Sequence, residues 1–260
     1  MAPDQHERVV DLRRLRRSCR ECSLRTLCLP AGIPPADMEQ LDRVVQSRLP
    51  LDRGQSLFRA GDRLEHLYAA RSGTLRTAQP GSEGDEQVIG FHLPGELAGL
   101  EAISDDTHHC DAVALERTSV CAVPFGRLQE VAARVPALQS QFHRLISREL
   151  VQDQQHLIAL GRRTARERLA LFLHSLAQRL EASGLDGCEL RLVMSRDDIA
   201  NYLGLALETV SRLLTKLTEE GVIDVERRRV RIVDPVALAR VAGQPVIAGG
   251  TGERDREHGS

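Results

Sequence analysis

The apolar positions of this 260-residue chain keep one rhythm up to about Pro124 and another after Pro136. Between about Arg48 and Pro124 the apolar runs are short, Leu64 to Ala70, Gln87 to Leu93 and Thr118 to Val123 among them, and glycine or proline separates them. Short runs in which β-branched and aromatic residues recur between turn signals predict an all-β sandwich or roll. From Ala137 to about Ala182 proline is absent, Gly161 is the one glycine, and the apolar period becomes helical, so two helices meeting near Gly161 are expected. In the first, Ile146, Leu150, Asp153, Leu157 and Leu160 step by 4, 3, 4 and 3, a coiled-coil seam whose simplest partner is its own copy. Either the seam is rotated slightly so that the Asp153 carboxylate stays wet, or it faces its twin in a drying interface, where it opposes association or takes up a proton and so poises the dimer.

Ser195-Arg196-Asp197-Asp198 has the Ser-x-x-acid form of a capping box and opens a helix that halts at Gly204. A second helix, from about Leu207 to Glu219, turns Val210, Leu213, Leu214 and Leu217 inward. Two short helices joined by a glycine turn predict a helix-turn-helix, whose second helix enters the DNA major groove. Two alternating segments around Glu226-Arg227-Arg228-Arg229 then predict a wing. Off the apolar stripe, near the start of the second helix, stand Glu208, Thr209, Ser211 and Arg212. Arginine forks onto guanine and glutamate accepts from cytosine, so these are the candidate base-reading residues.

Composition changes this picture little. The net charge of -2 does not mark a nucleic-acid protein, and Lys216 is the only lysine. From Ser195 to Arg231 there are seven basic and seven acidic residues, so affinity is expected to lean on base contacts and dimerisation. The amino terminus is charged from its fourth residue and no 18-residue apolar window exists, so a cytoplasmic protein with no membrane partner is expected. Catalytic signatures are missing: there is no Gly-x-Ser-x-Gly, P-loop or dinucleotide fingerprint, and no enzyme activity is expected.

Six cysteines remain, and three of them, Cys19, Cys22 and Cys28, are spaced C-x2-C-x5-C. In a reducing compartment such a group points to ligation of zinc or an iron–sulfur cluster rather than to disulfides. A fourth sulfur must come from Cys110, Cys121 or Cys188.

In this order the parts resemble the Crp/Fnr superfamily of bacterial transcription regulators, and most closely its oxygen-sensing FNR branch. The likeness runs from Cys19 to about Ala242 through the cysteine motif, Leu67-Tyr-Ala-Ala-Arg-Ser-Gly-Thr, Gly84-Asp-Glu-Gln, Gly90-Phe-His-Leu-Pro-Gly, Thr118-Ser-Val-Cys-Ala-Val-Pro-Phe and Asn201-Tyr-Leu-Gly-Leu-Ala-Leu-Glu-Thr-Val-Ser-Arg-Leu-Leu. It implies an α+β chain: an N-terminal cysteine segment (1–30), a cyclic-nucleotide-binding-like β-roll or jelly roll (31–135), a long dimerisation helix (136–161), a winged helix-turn-helix (162–243) and a disordered tail (244–260). It also implies that Cys19, Cys22, Cys28 and Cys121 hold a [4Fe-4S] cluster, which oxygen converts to [2Fe-2S], with Ser23 and Leu27 setting oxygen access. The implied function is oxygen-responsive control of anaerobic genes by a homodimer at TTGAT/ATCAA half-sites, with RNA polymerase touched by β-roll loops such as Gly81 to Gln87. The alternative is a regulator of the same fold with a zinc or haem centre or another small effector. No cyclic nucleotide is expected: Gly95-Glu96-Leu97 is present, but Cys110 and Asp111 stand where the phosphate-binding arginine and its hydroxyl neighbour belong.

Overall fold

The computed structural model describes residues 19–45 and 47–245; the first 18 residues and most of the expected tail lie outside the described residues. A 3-10 turn, Cys19–Glu21, and a run of turns lead to helix α1 (Met38–Val44). Eight strands follow: β1 (Ser47–Leu51), β2 (Ser56–Phe58), β3 (His66–Ser72), β4 (Leu75–Pro80), β5 (Glu86–His92), β6 (Leu97–Ala98), β7 (Asp111–Ala114) and β8 (Thr118–Pro124). They form two antiparallel four-stranded sheets, ordered β1-β8-β3-β6 and β2-β7-β4-β5. One cluster around Phe58, Leu75, Ala112 and Val120 fills the roll.

Because strand side chains alternate, the other face of the β1-β8-β3-β6 sheet is apolar too. Leu67, Ala69 and Val123 there meet α1, helix α2 (Phe125–Ala132) and the start of helix α3 (Pro136–Arg162). The cysteine segment closes over that face. Cys121 shares this packing, whereas Cys110 belongs to the cluster inside the roll.

Helix α3 runs through Gly161 and ends at Arg162, after which helix α4 (Ala165–Ala182) begins. The break falls at Arg163–Thr164 rather than at Gly161 because Thr164 and Glu167 form a complete capping box, a stronger start signal than an exposed glycine is a stop. Strand β9 (Glu189–Arg191), helices α5 (Arg196–Leu203) and α6 (Leu207–Glu219), strands β10 (Ile223–Glu226) and β11 (Arg229–Ile232) and helix α7 (Pro235–Val241) complete the chain. The wing is thus a three-stranded sheet, β10-β11-β9, whose third strand the sequence pattern does not mark. Among the described residues no helix is long and apolar enough to cross a membrane.

Candidate functional site: a thiol pocket and a DNA-reading head

Four thiols from two parts of the chain line one pocket. Cys19, Cys22 and Cys28 come from the turns before α1, and Cys121 from β8, with Leu24, Leu29, Val45, Ala69 and Val123 among the apolar walls. Register fixes Cys121, which sits opposite Arg48 of β1 and Ala69 of β3 in the middle of its sheet. The loop thiols are held by their backbone. The Cys19 amide donates to Asp42 Oδ1 at 2.6 Å, the Cys22 amide to the Cys19 carbonyl at 3.2 Å, and the Cys28 amide to the Leu24 carbonyl at 3.1 Å.

All six cysteines are reduced thiols. Burial pushes the Cys28 thiol up to about 12, helped by Cys121 and Cys22 and opposed by a backbone hydrogen bond from Leu29. Burial, then Asp42, then the other three pocket sulfurs push Cys19 upward as well. These four sulfurs sense one another across an apolar space that disfavours bare thiolates. A cationic centre between them reverses that balance, since ligation deprotonates a thiol outright. Among the described residues no three His, Cys, Asp or Glu side chains are gathered closely enough to hold a metal ion.

The side chains expected to control access are placed differently from one another. Ser23 is exposed, and Leu27 packs on the turn at Gly95, where its Cβ lies 3.1 Å from the position a Gly95 Cβ would take. Leu24 and Arg25 supply the loop's share of the pocket wall. Cys110 is 1 % exposed, with its Sγ 3.6 Å from Glu101 Oε1 beside His108, and Cys188 lies beyond α4 near Asp186.

A hydrogen bond ties the pocket to the long helix. Gln141 Nε2 of α3 donates to the Cys28 carbonyl at 3.1 Å, and Arg144 Nε donates to Gln141 Oε1 at 3.0 Å. Gln141 is 4 % exposed, packed between Leu138 and Leu145, so a change in the loop is felt by the helix itself. Farther along α3 the surface is bare: Leu150 is 56 %, Val151 46 %, Leu157 67 % and Ile158 56 % exposed. Of the expected seam, Leu150, Asp153 and Leu157 are exposed in the single chain and Ile146 and Leu160 half-buried, Leu160 lying near Gly204; Val151 and Ile158 are exposed beside them.

The reading head follows local signals closely. Ser195 caps α5 reciprocally with Asp198, and Gly204 closes it at φ 60, a left-handed position that favours glycine. In α6, Val210, Leu214 and Leu217 are buried, leaving Glu208 and Arg212 exposed and Thr209 and Ser211 half-exposed. Arg212 Nε donates to the Glu208 carbonyl at 3.3 Å, so the interaction between them runs to the backbone. Arg196 Nη1 reaches Ser211 Oγ at 3.2 Å and adds a cation that was not among the expected base readers. Arg227, at the two-residue wing turn, holds φ 54, a strained conformation for a side-chain-bearing residue.

The β4–β5 hairpin meets this head. Its tip, Gly81 to Asp85, is exposed, whereas its stem is bonded to α5. The Glu96 carboxylate and the Asp111 carboxylate, both at positions relevant to nucleotide binding, are engaged inside the protein. Glu96 pairs with Arg179, and Asp111 accepts from the Ala60 amide at 2.8 Å.

Comparison with known proteins agrees with this architecture. Residues 48–135 match the cyclic nucleotide-binding domain family, and residues 167–241 the Crp-like helix-turn-helix domain family. The chain is 46 % identical over 228 residues to the transcriptional activator protein Anr of Pseudomonas protegens, covering 88 % of this chain and 93 % of that one. It is 41 % identical over 225 residues to the fumarate and nitrate reduction regulatory protein of Escherichia coli, covering 86 % and 90 %. Among solved structures, FixK2 from Bradyrhizobium japonicum superposes with a TM-score of 0.69 at 31 % identity, over 75 % of this chain and 96 % of that one.

Proposed function

We propose that this chain, which belongs to the Crp/Fnr family of transcription regulators, is an oxygen-responsive activator whose thiolates Cys19, Cys22, Cys28 and Cys121 hold a [4Fe-4S] cluster. The observation that carries the reading is the convergence of those four sulfurs on one apolar pocket. Four thiolates are the ligand set of such a cluster, and they are equally that of a tetrahedral zinc at about 2.3 Å from each sulfur, so the likeness to the FNR-type relatives supports the cube. When bound, the cluster supplies a cationic, oxygen-labile crosslink between the N-terminal turns and β8.

The protein's own groups convert that crosslink into DNA binding. With the loop held against β8, the Cys28 carbonyl stays in place to accept from Gln141, and the first half of α3 stays seated in the core beneath the loop. The second half of the same helix then presents Leu150, Val151, Leu157 and Ile158 to a second copy. Association places two α6 helices about one DNA turn apart, roughly 34 Å, which neither protomer achieves alone. Glu208, Thr209, Ser211 and Arg212 read TTGAT/ATCAA half-sites, and the arginines of the wing contact phosphates. Asp153, on the exposed face, weakens the association enough for loss of the cluster to undo it. RNA polymerase is met by surface loops that include the exposed hairpin tip at Gly81 to Asp85, in the cytoplasm where the operator lies.

Metal and sulfide analysis tests the cofactor. Protein purified without oxygen is expected to contain about four iron and four acid-labile sulfide per chain, with a broad visible shoulder that air bleaches. Zinc in a colourless protein, or a sharp haem band, would overturn the reading.

A further inference from the structure

Helix α3 is not all that joins the DNA-binding domain to the roll. Strand β5 is an edge of its sheet, and its outward amides and carbonyls need partners. Asn201 of α5 provides them as a neighbouring strand would: its Oδ1 accepts from the Val88 amide at 2.6 Å and its Nδ2 donates to the Glu86 carbonyl at 2.7 Å. Beside it, Asp198 of α5 receives Arg76 of β4 at 3.0 Å. At the far end of β5, Arg179 of α4 grips Glu96 through Nε and Nη2, at 2.8 and 2.5 Å, and also donates to the Phe91 carbonyl.

The Arg179–Glu96 pair is largely withdrawn from solvent. Burial works to raise the Glu96 carboxyl, but the charge and hydrogen bonds of Arg179 outweigh it and hold it below the usual range. Phe91 completes the joint, its ring 5.3 Å from Tyr202 and 6.0 Å from Phe172. Charged and amide groups at both ends of β5, with edge-on rings and a core shared by Val88, Phe91 and Leu93 with the reading head between them, leave one orientation that satisfies all of them. A pivot at Arg163–Thr164 alone would allow many.

We propose that this clamp, Asn201 on the β5 edge and Arg179 on Glu96, is the positioning element that sets which half-site spacing the dimer accepts. Dimerisation through α3 fixes the two rolls relative to each other, and the clamp fixes each reading head to its own roll. The separation and rotation of the two α6 helices are therefore built in before DNA is met, and control acts through association rather than through reorientation of the heads. The inference rests on the shown DNA-binding family and on the proposed dimerisation through α3, not on the identity of the cofactor.

The test is equilibrium binding of the full-length dimer, purified anaerobically, to three duplexes that differ only in half-site separation: the preferred one, and one base pair shorter or longer. One base pair shifts a half-site by about 3.4 Å and turns it by about 35°. The wild-type protein is expected to lose at least about tenfold on each displaced duplex, the size of loss a mismatched base pair typically causes. Asn201→Ala is expected to shrink that ratio to within about threefold, and Glu96→Gln to act in the same direction. Asn201 is half-exposed and its side chain is not part of the apolar core that joins β5 to the reading head, so Asn201→Ala is expected to fold, and Glu96→Gln gives an independent second reading. Equal loss of affinity on all three duplexes, the signature of a merely structural role, would overturn the proposal, as would a wild-type protein indifferent to spacing.

Discussion

Cys121→Ser protein, purified anaerobically, is expected to lack the visible chromophore of the wild type and to lose operator affinity by on the order of a hundredfold, the upper range of ordinary coupling between sites. The reason lies in where the sulfur stands. Cys121 is the one thiol of the pocket on a strand, paired on both sides within its sheet, while the other three ride on a loop of consecutive turns. Serine keeps the size of the side chain but offers a hydroxyl, hard to deprotonate, in place of the soft thiolate that iron–sulfur clusters take. Without that anchor the loop and β8 are no longer crosslinked, and Gln141 loses a fixed partner. Cys110→Ser is the matched control: its thiol is sealed inside the roll against Glu101, so chromophore and binding are expected to survive. Visible absorption and anaerobic operator titration of the two variants check both statements, and a chromophore that persists in Cys121→Ser with full binding would contradict the ligand assignment.

A second large effect is expected at the opposite end of α3. Leu157 is 67 % exposed in the single chain, beside Ile158 at 56 %. Burying each against a partner contributes roughly 1.5–3 kcal/mol, and two-fold symmetry counts every residue twice. Leu157→Glu therefore removes about 3–6 kcal/mol of association, before repulsion between two introduced carboxylates is added. That corresponds to a dimer dissociation constant raised by roughly two to four orders of magnitude. Sedimentation of the variant under nitrogen is expected to give a monomer that retains its chromophore, which separates the seam from the pocket. A dimer of wild-type strength would remove α3 from the interface.

How much of this is legible in the sequence depends on how local the cause is. The helix-turn-helix is legible to the residue because its determinants are neighbours: the Ser195–Asp198 box, the left-handed Gly204 and the stripe from Val210 to Leu217. The strands around Ala70, Val88 and Val120 are legible for the same reason, through short apolar runs between turns. The cysteine spacing marks the loop, but residue type alone cannot choose the fourth thiol. Cys110 and Cys121 lie by neighbouring strands, and only the phase of alternation in each sheet turns one into the roll and the other toward the loop.

Non-local features leave little trace in the pattern. Glu96 and Arg179 are 83 positions apart, and Asn201 meets Val88 across 113, so nothing in either neighbourhood announces the pairing. Along α3 the heptad step marks Leu150 and Leu157, which stand exposed in the single chain, but it does not mark Val151 and Ile158, exposed beside them.

The central claim is that occupancy of the thiol pocket decides whether two chains stay joined on DNA. It is tested most directly by titrating anaerobic protein with air while following sulfide content, sedimentation and operator occupancy on the same samples. The account predicts that the dimer fraction and operator occupancy fall in step as sulfide is lost. A protein that gives up its sulfide and remains a dimer on its operator would contradict it.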